Sequence, residues 1–175
     1  FAAVKSDGSV ITWGCTDSGG DSAAVKGSLQ SDITHIYATD SAFAAVKRDG
    51  SVITWGYWYY GGDSAAVEGS LQSGVTRICS TSGAFAAVKS DGSVITWGCT
   101  DSGGDSAAVK GSLQSDITHI YATDSAFAAV KRDGSVITWG YWYYGGDSAA
   151  VEGSLQSGVT RICSTSGAFA AVKSD

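Results

Sequence analysis

Few side chains in this sequence are equipped for chemistry, and those few recur at fixed intervals. The cysteines are Cys15, Cys79, Cys99 and Cys163, and the histidines are His35 and His119. Tyr57, Trp58, Tyr59 and Tyr60 form an unbroken aromatic run ahead of Gly61, and Tyr141, Trp142, Tyr143 and Tyr144 repeat it ahead of Gly145. Paired thiols offer a disulfide clasp or a redox couple. Clustered aromatics offer stacking surfaces for sugars, anchors for a protein interface, or packing between structural units. No metal site is expected, because there is no CxxC pair and the two histidines are far apart in the chain. Catalysis would need a nucleophile with a base beside it. The many serines sit in turn and cap contexts instead, so no catalytic residue and no cofactor is expected.

The regular placement comes from an internal repeat. Phe1, Phe43, Phe85, Phe127 and Phe169 each open the string FAAVK. Residues 1–42 form a unit A and residues 43–84 a unit B, after which 85–126 repeat A and 127–168 repeat B without a change. Residues 169–175, FAAVKSD, begin a fifth unit. Units A and B differ at 13 of 42 positions, yet the AB pair is copied perfectly. Drift blurs old duplications, so such identity means recent amplification or deliberate construction. The expectation is an engineered symmetric array. The absence of Pro and Met from 175 residues fits it. The missing Met also reads as a processed product or a fragment.

Within a unit, Phe1 to Lys5 alternates, with Phe1, Ala3 and Lys5 on one face and Ala2 and Val4 on the other. Ser6-Asp7-Gly8 is a tight-turn signal, and Ser9 to Gly14, SVITWG, is rich in β-branched and aromatic residues. These fourteen residues read as a β-hairpin. A polar loop with Gly19-Gly20 follows, and then a short helix or loop over SAAVKGSLQ, where Asp21 or Ser22 can cap a helix that Gly27 weakens. Ile33 to Ala38, ITHIYA, reads as a third strand. Such a unit cannot bury both its faces alone and must stack on its neighbours.

The strings Ala42 to Gly56, Ala84 to Gly98 and Ala126 to Gly140 resemble the core of regulator-of-chromosome-condensation-type repeats. Those repeats pair an apolar strand, an Asp-Gly turn, a second strand and a Trp-Gly exit. The resemblance implies a β-propeller with 42-residue blades. None of the residues through which that family acts is identifiable here, so it implies no nucleotide exchange or chromatin binding. An open, solenoid-like stack of the same units is the alternative.

The differences between units alternate. Tyr37 and Tyr57 are replaced together by Cys79 and Cys99, which reads as contact across a unit boundary. Cys163 would then meet a Cys15. Either a disulfide or two facing thiols would satisfy that reading. Position 26 of each unit alternates Lys26, Glu68, Lys110, Glu152. An A unit carries two lysines against five aspartates, whereas a B unit is balanced, so the formal charge of −6 sits on the A units. An acidic chain does not suit nucleic acid, and no apolar run approaches membrane length. The functional expectation is a self-assembling structural scaffold, with two chains sharing one eight-unit ring or a higher assembly, a four-unit ring closed by one chain being the other option. The alternative is an extracellular or surface module that binds glycans or proteins through Tyr57–Tyr60. Localisation is not legible, beyond solubility if the chain is engineered.

Overall fold

The computed structural model describes residues 1–174. Thirteen short strands follow one another: β1 Ala2–Val4, β2 Val10–Thr12, β3 Ile33–Ala38, β4 Ala42–Lys47, β5 Val52–Gly56, β6 Val75–Ser80, β7 Ala84–Lys89, β8 Val94–Gly98, β9 Ile117–Ala122, β10 Ala126–Lys131, β11 Val136–Gly140, β12 Val159–Ser164 and β13 Phe169–Lys173. They form three complete antiparallel sheets, β3-β4-β5, β6-β7-β8 and β9-β10-β11, flanked by the two-stranded β1-β2 and β12-β13. Each complete blade therefore joins the third strand of one sequence unit to the hairpin of the next. Among the described residues, no helix is long and apolar enough to cross a membrane.

The hairpin forms as its sequence dictates. Phe43 faces Trp55 and Ala42 faces Gly56 across β4-β5. At the turn, Gly50 takes φ +78° and its N–H donates to Lys47 O at 3.0 Å. Asp49 Oδ1 accepts the Ser51 N–H at 2.9 Å and its hydroxyl at 2.7 Å. The same bonds recur at Asp7, Asp91 and Asp133. These bonds, chiefly the serine hydroxyl's, hold all four carboxylates below their usual pKa. A lowered folded pKa gives stability that is present above the unfolded carboxylate value of about 3.9 and lost as pH falls through the folded one. Replacing Asp49, Asp91 and Asp133 together by Asn should flatten the acid limb of a denaturation series run from pH 7 to pH 2. An unchanged acid limb would place that sensitivity elsewhere.

The middle strands form the core. Ala44, Ala45, Ala86, Ala87, Ala128 and Ala129 are fully buried, as are Phe85 and Phe127. Alternation sends the two faces of a strand to different neighbours. Ala42, Ala44 and Val46 pack with Leu71, Val75, Ile78, Phe85 and Trp97 on the side of the following blade. Phe43 and Ala45 pack with Leu29, Ile33 and Trp55 on the side of the preceding one. Alanine lets sheets approach closely on both faces, so the unit does need its neighbours. The first strands β3, β6, β9 and β12 approach one another from sheet to sheet and line the inner edge of the array.

The expected helix is present in 3₁₀ form, as Ala23–Val25 in the first unit and Ala65–Leu71 in the second. Asp21 rather than Ser22 provides the cap: Asp21 Oδ1 accepts the Ala23 N–H at 2.8 Å, whereas the Ser22 hydroxyl pairs with Thr12 Oγ1. Glycine within so short a segment disfavours full α turns, and i→i+3 bonds suffice to bring the chain over the blade. The alternating Lys26 and Glu68 form no ion pair. Among the described residues, the only one is Lys5–Asp7, an exposed pair at 3.6 Å.

Candidate functional site

The feature that recurs at every complete junction is a clamp on a glycine. Phe85 and Trp97 stack with ring centroids 5.2 Å apart. The Trp97 indole N–H donates to Gly61 O at 3.0 Å, from a buried position. Gly61, at φ +97°, lies so close to Phe85 that an added Cβ would fall 2.6 Å from its ring. Trp55 bonds Gly19 O and Trp139 bonds Gly103 O at the same 3.0 Å, with Phe43 and Phe127 as the second jaws. The Gly-Gly loops at Gly19, Gly61 and Gly103 are thus each held by the Phe-Trp pair of the following blade. The Trp-Gly exit and the Gly-Gly pair, two separate signals in the sequence, are halves of one contact.

Three further links accompany the clamp. Thr39 Oγ1 donates to Tyr60 O, Thr81 Oγ1 to Ser102 O and Thr123 Oγ1 to Tyr144 O, all at 2.9–3.0 Å. The N–H of Cys99 meets Gly83 O, and that of Tyr141 meets Ser125 O. A main-chain relay steps along the inner edge, from Asp40 N to Ser82 O, Ser82 N to Asp124 O and Asp124 N to Ser166 O.

The two ends of the array carry this machinery unpaired. Trp13 is 50% exposed and Phe1 78%, although their rings already stack at 5.5 Å. Gly145 packs on Phe169, but no tryptophan reaches its carbonyl. Among the described residues, Trp13 Nε1, Cys15 N and Ser166 N have no acceptor. Thr165 Oγ1 turns back to Ala168 O at 3.5 Å.

The aromatic runs divide. Tyr60 packs into the junction, where its ring lies 3.2 Å from the place of a Gly83 Cβ. The Tyr59 hydroxyl meets the Cys99 thiol, and that bond raises the tyrosine's pKa. Trp58 and Trp142 stay 64% exposed. Tyr57 and Tyr141 are 42% and 40% exposed, while Tyr143 is 71% exposed against 38% for Tyr59.

The cysteines do not pair. Cys15, Cys79, Cys99 and Cys163 are all free. Cys79 lies opposite Ala86 on β6, whereas Cys99 follows Gly98, which lies opposite Ala84. The middle strand β7 stands between them, so the expected clasp is absent. Burial pushes the Cys79 thiol up to about 11. The exposed Cys15 is lowered, chiefly by the Ser18 N–H. Little of Cys79 is then thiolate near neutral pH, and the thiolate is the form that reacts. A thiol-labelling time course on single chains should show Cys15 fastest, with Cys79 and the buried Cys99 lagging. Cys79 labelling as fast as Cys15 would contradict that burial. His35 and His119 are exposed, stacked on Tyr37 and Tyr121.

No known protein family matches the chain, and no curated protein matches it in sequence. Solved structures do match. Prp20p from Saccharomyces cerevisiae aligns over 99% of this chain and 53% of its own, at TM-score 0.61 and 14% identity. Human WBSCR16 aligns over 98% of this chain and 55% of its own, at TM-score 0.56 and 16% identity. The computationally designed Ika8 protein aligns over 82% of this chain and 43% of its own, at TM-score 0.44 and 18% identity. The chain spans about half the length of the two natural structures. Prp20 is yeast RCC1, so the tandem three-stranded blades of this chain have the RCC1-type β-propeller fold.

Proposed function

We propose that this chain is a structural repeat scaffold, built by deliberate copying of an AB pair, that performs no catalysis and assembles with itself end to end. The observation that carries this reading is the set of unmade junction contacts at the two ends. Each has a partner at the other end and a precedent inside the chain. Trp13 Nε1 answers Gly145 O as Trp97 answers Gly61. Thr165 Oγ1 answers Ser18 O as Thr81 answers Ser102. Cys15 N answers Gly167 O as Cys99 answers Gly83, and Ser166 N answers Asp40 O as Ser82 answers Asp124. The B-to-A junction at residues 84–85 therefore already displays the contact that two copies would make. A head-to-tail contact either closes a ring or grows a filament. Two copies sharing one eight-unit ring is the reading favoured here. In a longer array, further units would fill the same places in cis.

Native mass spectrometry of residues 1–175 at low micromolar concentration tests this. A particle at twice the 17.8 kDa chain mass is expected, and the Trp13→Ala variant should remain a single chain. Single chains at every concentration would contradict self-assembly. The exposure of Trp58 and Trp142 favours a second reading, in which the aromatic loops bind glycans. A glycan array with Trp58→Ala and Trp142→Ala as controls separates the two, and binding lost in the variants would support the module.

A further inference from the structure

We infer that the complete blades are of two kinds that interlock, and that the exit loop of each kind is shaped to receive only a blade of the other. β3-β4-β5 and β9-β10-β11 are tyrosine blades: the corner before the middle strand carries Ser41 or Ser125, and the exit opens on Tyr57 or Tyr141. β6-β7-β8 is a cysteine blade, with Gly83 at the corner and Cys99 at the exit. Within a blade the two positions are tied by the main chain, Tyr57 N to Ser41 O and Cys99 N to Gly83 O, both at 2.8 Å. Corner and exit therefore meet the preceding blade's loop as one surface.

The tyrosine loop admits only the small pair. Gly83 has no positive φ, so its backbone does not call for glycine. The space does: a Cβ there would fall 3.2 Å from the Tyr60 ring, 3.1 Å from Cys99 Cβ and 3.0 Å from Ser102 Oγ. Cys99 is itself buried, and the Tyr59 hydroxyl meets its thiol. The serine and tyrosine that a tyrosine blade brings to these two positions would need the room that Tyr60 and Tyr59 occupy.

The small loop fits the large pair. Cys15-Thr16-Asp17-Ser18 precedes β3-β4-β5, and the Ser18 hydroxyl donates to Ser41 Oγ at 3.5 Å, the place where Tyr60 meets Gly83 at the next junction. Asp17 stands at the unit position of Tyr59, and Tyr57 stays 42% exposed where the matching Cys99 is buried. A cysteine blade in that seat would leave Ser18 facing a glycine across an unfilled space, and voids cost stability as overlaps do. The alternation thus selects by exclusion as well as by fit. Unit order is held by these junctions rather than by the exposed Lys26 and Glu68, and an array that closes on itself without a mismatch contains an even number of blades.

Thermal unfolding of variants at this one internal junction tests the matching. Gly83→Ser and Tyr60→Ser should each lower Tm by roughly 3–8 °C, the first by overlap and the second by an unfilled space. The double variant rebuilds the Ser18-Ser41 arrangement and should melt no lower than Tyr60→Ser alone. Losses that simply add would overturn the proposal, because side chains that do not share a space act independently. Cys99→Tyr carries the test to the exit: it should lower Tm by roughly 5 °C or more, and adding Tyr59→Asp with Tyr60→Ser should recover most of that loss. A Cys99→Tyr variant as stable as the parent would also overturn the matching. If Cys99→Tyr does not fold, the Gly83→Ser and Tyr60→Ser cycle decides.

Discussion

Replacing Gly104 by Ala should destabilise the chain by about 3 kcal/mol, while the same change at Gly111 should be neutral or mildly stabilising, by up to about 1 kcal/mol. A Cβ at Gly104 would fall 2.3 Å from Gly98 O and 2.5 Å from its carbon. Those are backbone atoms of the strand exit, so no rotamer can relieve the overlap. The loop would have to lift, carrying Gly103 away from Phe127 and Trp139. Gly111 lies in the Ala107–Leu113 3₁₀ segment, and a Cβ there meets nothing within 4 Å. For a chain of this length the first change should lower Tm by roughly 6–12 °C. Thermal unfolding of the two variants side by side checks it. Equal transitions would mean that the Gly-Gly loop is not pinned as described.

The second large effect separates two tryptophans of identical sequence context. Trp97→Ala should cost about 3–5 kcal/mol, since it removes a large buried side chain and leaves the Gly61 carbonyl without its donor. Trp97→Phe keeps much of the apolar volume and should cost about 1–3 kcal/mol, chiefly through the unpaired carbonyl. Trp13→Ala should change single-chain stability by about 1 kcal/mol or less, because the Trp13 side chain is half exposed and its indole N–H has no acceptor among the described residues. It should nonetheless abolish association. Chemical denaturation of dilute protein measures the three stabilities, and native mass reports the association. If Trp13→Ala destabilised single chains as much as Trp97→Ala, Trp13 would already be clamped within its own chain.

Much of this architecture is legible in the sequence. Alternation and the Asp-Gly turn gave the hairpin from Phe43 to Gly56, and ITHIYA gave the third strand. The period gave the array. The resemblance carried by Ala42 to Gly56 implied the propeller fold that the solved structures share. The clamp was not legible, because no local pattern says that Trp97 reaches back to Gly61. That contact spans 36 residues and depends on how sheets stack. The cysteine pattern is a weak signal for an instructive reason. With only two kinds of unit, all 13 differing positions alternate together, so coincident replacement of Tyr37 and Tyr57 by Cys79 and Cys99 carries no information about contact. The choice between a short helix and a loop after the Gly-Gly pair was open in the sequence, and a few residues around Gly27 settle it by closing i→i+3 bonds.

The central claim is that the two ends are the two halves of a junction that the chain already contains. Exchange of the indole protons tests it most directly. The chain has six tryptophans. In dilute single chains, Trp55, Trp97 and Trp139 are hydrogen-bonded and should exchange slowly, whereas Trp13, Trp58 and Trp142 are exposed and should exchange fast. On raising the concentration, a fourth indole proton should join the slow set, and it should be the one missing from the Trp13→Phe variant. An associated state that still shows only three slow indoles would mean that copies meet through some other surface, and the end-to-end junction would be wrong.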